Sequence, residues 1–322
     1  MCDYFPQTEV VTFDQANPSA ILAKINDLNK KVPQLLRASD SDLRDLRSLM
    51  ERAIDPGRED AVTETQLDAL ELLLNWPDEF LFPALDILRL CLRLDVPNKH
   101  FLGAACGPAQ LSRLLALTSA PGAGTAAPML ALRALCNACS REPGRRLMRE
   151  RRSRVVEGAL ELVGSDNRNV QVPGPDRAGT ESLAPRLWHR DYGSGTETMV
   201  ALATLLLNYA VLHSEPSSSF SAIFASRRNA AAAGDEADEA MTQLLSAAVA
   251  LLERRPDPEA SFRLLVCVAT LVLRRGGRGD GGDAARRLSD ALGVRAHAER
   301  CAGLPGAPAK LAECARSLLA FL

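Results

Sequence analysis

Aromatic residues are scarce in this chain. Phe, Tyr and Trp together make 4% of its 322 residues, although hydrophobic residues as a whole reach 47%. A core with so few rings has to be built from Ala and Leu, a mixture that favours helices over strands. Net charge is small too, −2 at pH 7, so wholesale nucleic-acid binding has no support and any electrostatic function must come from local clustering. Long hydrophobic runs are missing. The longest reach about 14 residues and carry Thr204 and Asn208, too short and too polar to span a bilayer. The opening MCDYFPQTEV has no basic stretch and no apolar core of the kind a secretory leader needs. The eight cysteines are therefore expected as reduced thiols in a cytoplasmic or nuclear protein. No phosphate loop, HExxH or GxSxG occurs, which leaves lipase and zinc-hydrolase chemistry without a motif.

What the chain has instead is a set of very apolar helices. They read FPALDILRLCLR from Phe82, PMLALRALCNAC from Pro128, MVALATLLLNYAVL from Met199 and EASFRLLVCVATLVLRR from Glu259. Each is broken by one narrow polar stripe: Asp86/Arg89/Arg93, Arg133/Asn137/Ser140, Thr204/Asn208 and Arg263/Thr270/Arg274. Members of a stripe stand three, four or seven apart, so each stripe occupies one helix face. Helices apolar on all other sides are buried. Several buried helices with one polar line each are what a stacked helical repeat with a side-chain-lined groove requires, and that implies binding rather than catalysis.

Further helices are expected at about 18–29, 41–54, 65–75, 80–94, 108–117, 144–163, 236–254, 283–292 and 308–321, with Asn17, Ser39 or Ser41, and Thr63 or Thr65 as caps. Nothing alternates with period two for long enough to make a sheet. Ala84-Leu85 and Ala131-Leu132 stand about 47 residues apart, the spacing of armadillo and HEAT repeats. Two stretches do not fit such packing: 172–196, rich in Pro, Gly and charge, and 214–235, rich in Ser and Ala. Both read as exposed, disordered insertions, and a short Gly-rich turn spans Gly276–Gly282.

The segments YFPQTEVVTFDQANPSAILAKINDLN, FPALDILRL, LALRALCNAC, NVQ followed by VALATLLLNYAV, and FRLLV stand in this order from Tyr4 toward Leu322. In that order they resemble the PUL domain. The resemblance implies an all-α, armadillo-like helical superhelix of about six irregular repeats. An N-terminal extended arm (1–16) would pack onto a solenoid formed by residues 17–322, with anchors among Tyr4, Phe5, Pro6, Val11, Phe13 and Ala16. It implies a non-enzymatic adaptor in ubiquitin homeostasis. The groove would bind the acidic C-terminal tail of the valosin-containing AAA ATPase, and other ubiquitin-pathway components would be reached only indirectly. No cofactor, metal, nucleic acid or membrane is expected. In the family a β-propeller and a small ubiquitin-binding domain often precede this module, and neither is in the sequence, so a fragment of a longer protein is one reading. About 28 residues separate Gln171 from Val200 where relatives run on directly, so this segment reads as a retained intron, a hypothesis that a transcript containing it would refute.

Arg89 and Arg263 lead the expected groove residues, because a guanidinium fork fits a carboxylate with two hydrogen bonds. Arg133 follows. Asn137 and Asn208 each offer a donor and an acceptor to a peptide backbone, with interhelical bonding as the alternative. Tyr209 and Lys99 complete the candidate set. Two other functional classes stay open: a general armadillo scaffold for another acidic peptide, and a cysteine hydrolase, which would need a thiol of depressed pKa. Cys136 and Cys139 form a CxxC within a helix and read as core packing. The basic run Arg145 to Arg152 is interleaved with glutamates and reads as a solvated face.

Overall fold

The computed structural model describes residues 3–55, 61–119, 126–164, 195–214, 229–274 and 280–322. Among them are fifteen α-helices and no strand, an all-α helical-repeat architecture. By their internal contacts the described residues divide into two units: one holds 12–150, the other 3–11, 151–164 and everything from 195 onward.

The 12–150 unit contains α1 (Pro18–Asn29), α2 (Asp40–Ile54), α3 (Glu64–Leu74), α4 (Phe82–Cys91), α5 (Asp95–Leu102), α6 (Gly107–Ser119), α7 (Ala126–Ala138) and α8 (Glu142–Glu150). Local chemistry sets the starts of the first three. The Asn17 side chain accepts from the Ala20 N–H with Pro18 at the first helical turn, and Ser39 and Thr63 each close a capping box, with Asp42 and Gln66. Trp76 is buried, and its ring N–H donates to the Leu36 carbonyl at 2.8 Å, tying the α3 exit to the turn before α2. At the centre lies α4, buried from Pro83 to Cys91 and packed against α1, α2, α3 and α7. Each fully buried Leu or Ile on it contributes roughly 1.5–3 kcal/mol. α7 is covered in turn by α6 and α8. Gly144, in α8, sits so close to α7 that a Cβ there would lie 2.0 Å from the Ala138 carbonyl oxygen, and its N–H donates to the buried Asn98 side chain.

The second unit contains α9 (Arg152–Gly164), α10 (Gly195–Ser214), α11 (Asn229–Glu253), α12 (Pro258–Arg274), α13 (Asp280–Ala291), α14 (Val294–Ala302) and α15 (Ala309–Phe321). α10 and α12 pack against each other along their length, with α11 against both and α15 against α12. α10, at 20 residues, is long and apolar enough by length and composition to cross a membrane, but 78% of its apolar window is buried, the condition of a core helix.

Four expectations about the elements change. The single helix expected at 80–94 ends at Cys91, and Leu94 and Asp95 start α5, which the periodicity did not reveal. The expected 144–163 helix is broken at Arg151 into α8 and α9. α14 was not anticipated; it follows a reversal at Gly293, whose φ of 69° is one that glycine adopts without penalty. The stretch expected to be disordered at 214–235 is helical from Asn229, because its NAAAA run is strongly helix-forming. Gly195, Thr196 and Ser214 likewise belong to α10, and Asp280–Gly282, at the end of the expected Gly-rich turn, already belong to α13. The rest of the 172–196 and 214–235 segments, and residues 276–279, lie outside the described residues.

Candidate peptide-binding site

α4 ends at Cys91, so carbonyls in its last turn lack a helical partner. The Leu88 and Leu90 carbonyls accept from the N–H groups just beyond the helix. The Arg89 carbonyl instead accepts from the Asn137 side-chain amide on α7, at 2.7 Å. The same amide donates to the Phe13 carbonyl at 2.8 Å, and its oxygen accepts the Phe13 N–H at 2.8 Å. Asn137 therefore joins α7 to α4 and at the same time holds both backbone polar groups of one arm residue.

Arg89 completes the arrangement within the 12–150 unit. Its Nε donates to Asp86 Oδ1 at 2.6 Å, and its terminal nitrogens donate to the carbonyls of Phe13 at 2.9 Å and Gln15 at 2.7 Å. Both members of the pair are almost fully buried. Burial pushes the Asp86 carboxyl above its usual range, and the Arg89 guanidinium, with Arg133 beyond it, pulls in the other direction without cancelling the rise. Arg133, one turn before Asn137, places its guanidinium 4.9 Å from the centre of the Phe13 ring, a cation–π contact. Arg93 approaches the Asp14 carboxylate at 4.0 Å.

The second unit repeats the device. Asn208 on α10 accepts the Val11 N–H at 2.7 Å and donates to the Val11 carbonyl at 2.9 Å. Thr270 on α12 accepts the Gln7 N–H at 3.0 Å. Tyr4 meets the Phe262 ring edge to face at 5.2 Å and donates to Glu313, and Phe5 is buried. Backbone groups of Gln7, Val11, Phe13 and Gln15 are the ones held. Within each unit the held residues, Gln7 and Val11 in one and Phe13 and Gln15 in the other, stand an even number of positions apart, as expected of extended chain whose successive residues turn their backbone polar groups to opposite edges.

The candidates are now placed. Arg89, Arg133, Asn137 and Asn208 all touch the arm. Arg263 lies on α12. Its guanidinium bonds Glu259 at 2.9 Å and the Thr204 hydroxyl, beside Lys310, which also bonds Glu259 and lies over the Phe262 ring. Burial works to raise the Glu259 carboxyl, but Lys310 and Arg263 outweigh it and hold it below its usual range. Tyr209 is 2% exposed within α10. Its neighbour Asn208 is the residue that reaches the arm. Lys99 is an exposed residue of α5, and none of the arm's hydrogen bonds or ion pairs described here involves it. The backbone of Arg274 ends α12, and its side chain lies outside the described residues. Thr270 stood in a recognised stripe yet was passed over as a site residue, while Phe262 and Glu313 were missed. An adjacent aromatic in FRLLV was the available signal for Phe262.

Most cysteines of the described residues are core residues. Cys91, Cys136, Cys139, Cys267, Cys301 and Cys314 are buried; burial pushes the thiols of Cys91 and Cys267 well up and raises that of Cys301 against the pull of Arg300. Cys106 is exposed. Among the described residues no cluster of three His, Cys, Asp or Glu is placed to hold a metal.

Taken together, the fold and site define a helical-repeat protein that holds an extended peptide segment by its backbone. The PUL domain model matches residues 5–173 and 181–317, and this chain belongs to the PUL domain family. The two matched stretches leave residues 174–180 between them. The chain is 34% identical to the phospholipase A-2-activating protein of Xenopus laevis over 99% of its own length and 33% of that protein's. It is 31% identical over 39% of its length to the ubiquitin fusion degradation protein 3 homolog of Caenorhabditis elegans, covering 14% of that protein. The chain thus spans about a third of the Xenopus relative.

Proposed function

We propose that this chain is a non-enzymatic adaptor module of the ubiquitin pathway that holds an extended acidic peptide, and that its partner is the acidic C-terminal tail of the valosin-containing AAA ATPase. One observation carries the first part. In each unit a stretch of the chain's own N-terminal residues is held by its backbone groups, by Asn137 with Arg89 in one and by Asn208 with Thr270 in the other. That segment is itself acidic and aromatic: residues 3–16 contain Asp3, Glu9 and Asp14, Tyr4, Phe5 and Phe13, and no Lys or Arg. The pathway is supported by the C. elegans relative, whose name places it in ubiquitin fusion degradation.

The test is fluorescence anisotropy of a labelled peptide copying the last ten or so residues of the ATPase, against wild type and Arg263→Glu. Arg263 is partly exposed, so reversing its charge should weaken binding of an acidic peptide. Binding that falls with salt and is lost in the variant supports the tail as partner. Equal binding of a scrambled acidic peptide would move the reading to a general scaffold, which the backbone-directed grip of the two asparagines favours. Absence of binding to either would remove the tail altogether.

A further inference from the structure

α11 ends at Glu253, so the carbonyls of its last turn have no helical N–H to accept from. The chain then reverses toward α12 through Arg255, whose φ of 53° lies in the left-handed region that a residue with a side chain enters only at a cost. Two donors hold the reversal at the Leu252 carbonyl. The Arg255 N–H reaches it at 3.1 Å, and Arg300 Nη2, on α14, reaches it at 2.7 Å. A guanidinium at a helix C-terminus also meets the negative end of the helix dipole. Arg300 thus clamps, from another helix, a corner that its own backbone preference disfavours.

The clamp is positioned by a group that titrates. The same Arg300 nitrogen lies 2.7 Å from Nδ1 of His297, one turn earlier on α14. A guanidinium has donors and no acceptor, so the ring nitrogen must accept. His297 is therefore neutral here, with its proton on Nε2. The residue is 9% exposed. Burial, and after it the Arg300 charge, hold its pKa below the usual 6.5, against the opposing pull of Glu253 at the end of α11. α14 packs on α11, α13 and α15. Among the described residues of those three helices, Glu253 is the charged group that acts on the ring.

We propose that His297 and Arg300 form a pH-sensitive latch on the α11–α12 corner. The neutral ring seats Arg300 on the Leu252 carbonyl; a proton on Nδ1 turns the acceptor into a donor, sets two cations against each other and releases the clamp. The proton comes from solvent and returns to it, so the latch is reversible. Because the folded pKa is the lower one, the stabilisation is complete above about 6.5 and is lost as pH falls from there through the folded value. The corner sets the start of α12, the helix that carries Arg263 and Thr270, so acid loosens the second unit at that end.

The experiment uses the full chain. NMR of the imidazole follows the titration of His297 in wild type. Hydrogen exchange, corrected for the intrinsic rate at each pH, follows the amides of Arg254 and Arg255, which close the end of α11. The variants are His297→Asn, whose side-chain oxygen stands in for Nδ1 without titrating, and Arg300→Leu, which removes the clamp. Protection at Arg254 and Arg255 should fall about tenfold in wild type between about pH 7.5 and about pH 5.5, the scale of one hydrogen bond to a charged group. It should stay level in His297→Asn, and Arg300→Leu should show the low value at both ends of the range. Circular dichroism at each pH confirms that the helices persist. A His297 titration centred at or above 6.5 overturns the latch, as does wild-type protection that does not change with pH. So does high protection in Arg300→Leu, or a fall of equal size in His297→Asn, which would assign the effect to another group. The wild-type titration and exchange need no variant, so the latch stays open to refutation even where His297→Asn does not fold.

Discussion

Asn137 on α7 closes its side-chain amide onto Phe13, taking the backbone N–H and giving to the carbonyl at 2.8 Å each, while a second donor bond runs to the Arg89 carbonyl on α4. One side chain thus carries both a helix-to-helix tie and an arm-to-helix tie. Asn137→Ala should cost about 1–3 kcal/mol, because the Arg89 carbonyl is left in a buried place with no donor. Urea unfolding measures that cost, and amide exchange at Phe13 should accelerate in the same variant. Asn137→Asp keeps the acceptor but sets a carboxylate oxygen against two carbonyls, so it should be no better than Ala.

Arg89 and Asp86 form a buried pair in which each depends on the other. Arg89→Met strands the Asp86 carboxylate and should destabilise by about 3–5 kcal/mol. The double variant Arg89→Met/Asp86→Leu should recover most of the loss while still failing to hold the arm. A double-mutant cycle in urea separates the two effects. A double variant as unstable as the single one would show that the arm contacts, not the stranded charge, set the cost.

Glu259 is held below its ordinary pKa in the folded chain by Lys310 and Arg263, against the opposing effect of burial. An acid with a depressed folded pKa stabilises above its unfolded value, here near 4.5. That stability is lost as pH falls from there through the folded pKa. The thermal midpoint of wild type should therefore exceed that of Glu259→Gln at neutral pH, and the gap should close as the solution is acidified below 4.5. A gap independent of pH would assign the difference to packing.

Thiol labelling of the native chain checks the cysteine environments. Among the seven cysteines in the described residues Cys106 is exposed and the other six are buried. Cys106 should label quickly, with the buried thiols reacting only on unfolding. Rapid labelling of Cys136 or Cys139 would contradict their place in the core of the α4–α7 packing.

Much of this molecule could be read without coordinates because its signals are local. Asn17-Pro18, Ser39 with Asp42, and Thr63 with Gln66 are each a few residues long, and each starts a helix where the chemistry requires. The apolar character of α4, α7, α10 and α12 identified them as buried, and their polar stripes held six residues that reach the arm: Arg89, Arg93, Arg133, Asn137, Asn208 and Thr270. Boundaries were less legible where the chain only bends. The break at Arg151 and the start of α5 at Asp95 leave little mark on a hydrophobic pattern that continues through them. α11 was read too short because an alanine-rich run has the composition of a linker and the propensity of a helix.

The amino-acid sequence by itself determined the class of this protein. Helical periodicity, a core of Ala and Leu, and polar residues lined along one face of each buried helix are properties of neighbouring residues, and they specify an all-α helical repeat. Tertiary structure decided which peptide lies along those faces. Asn137 stands 124 positions from Phe13, and Asn208 stands 197 from Val11. Nothing in the spacing of a stripe says whether its amides face an incoming partner or the chain's own first residues. That depends on where the folded helices carry those side chains, and they carry them to the arm.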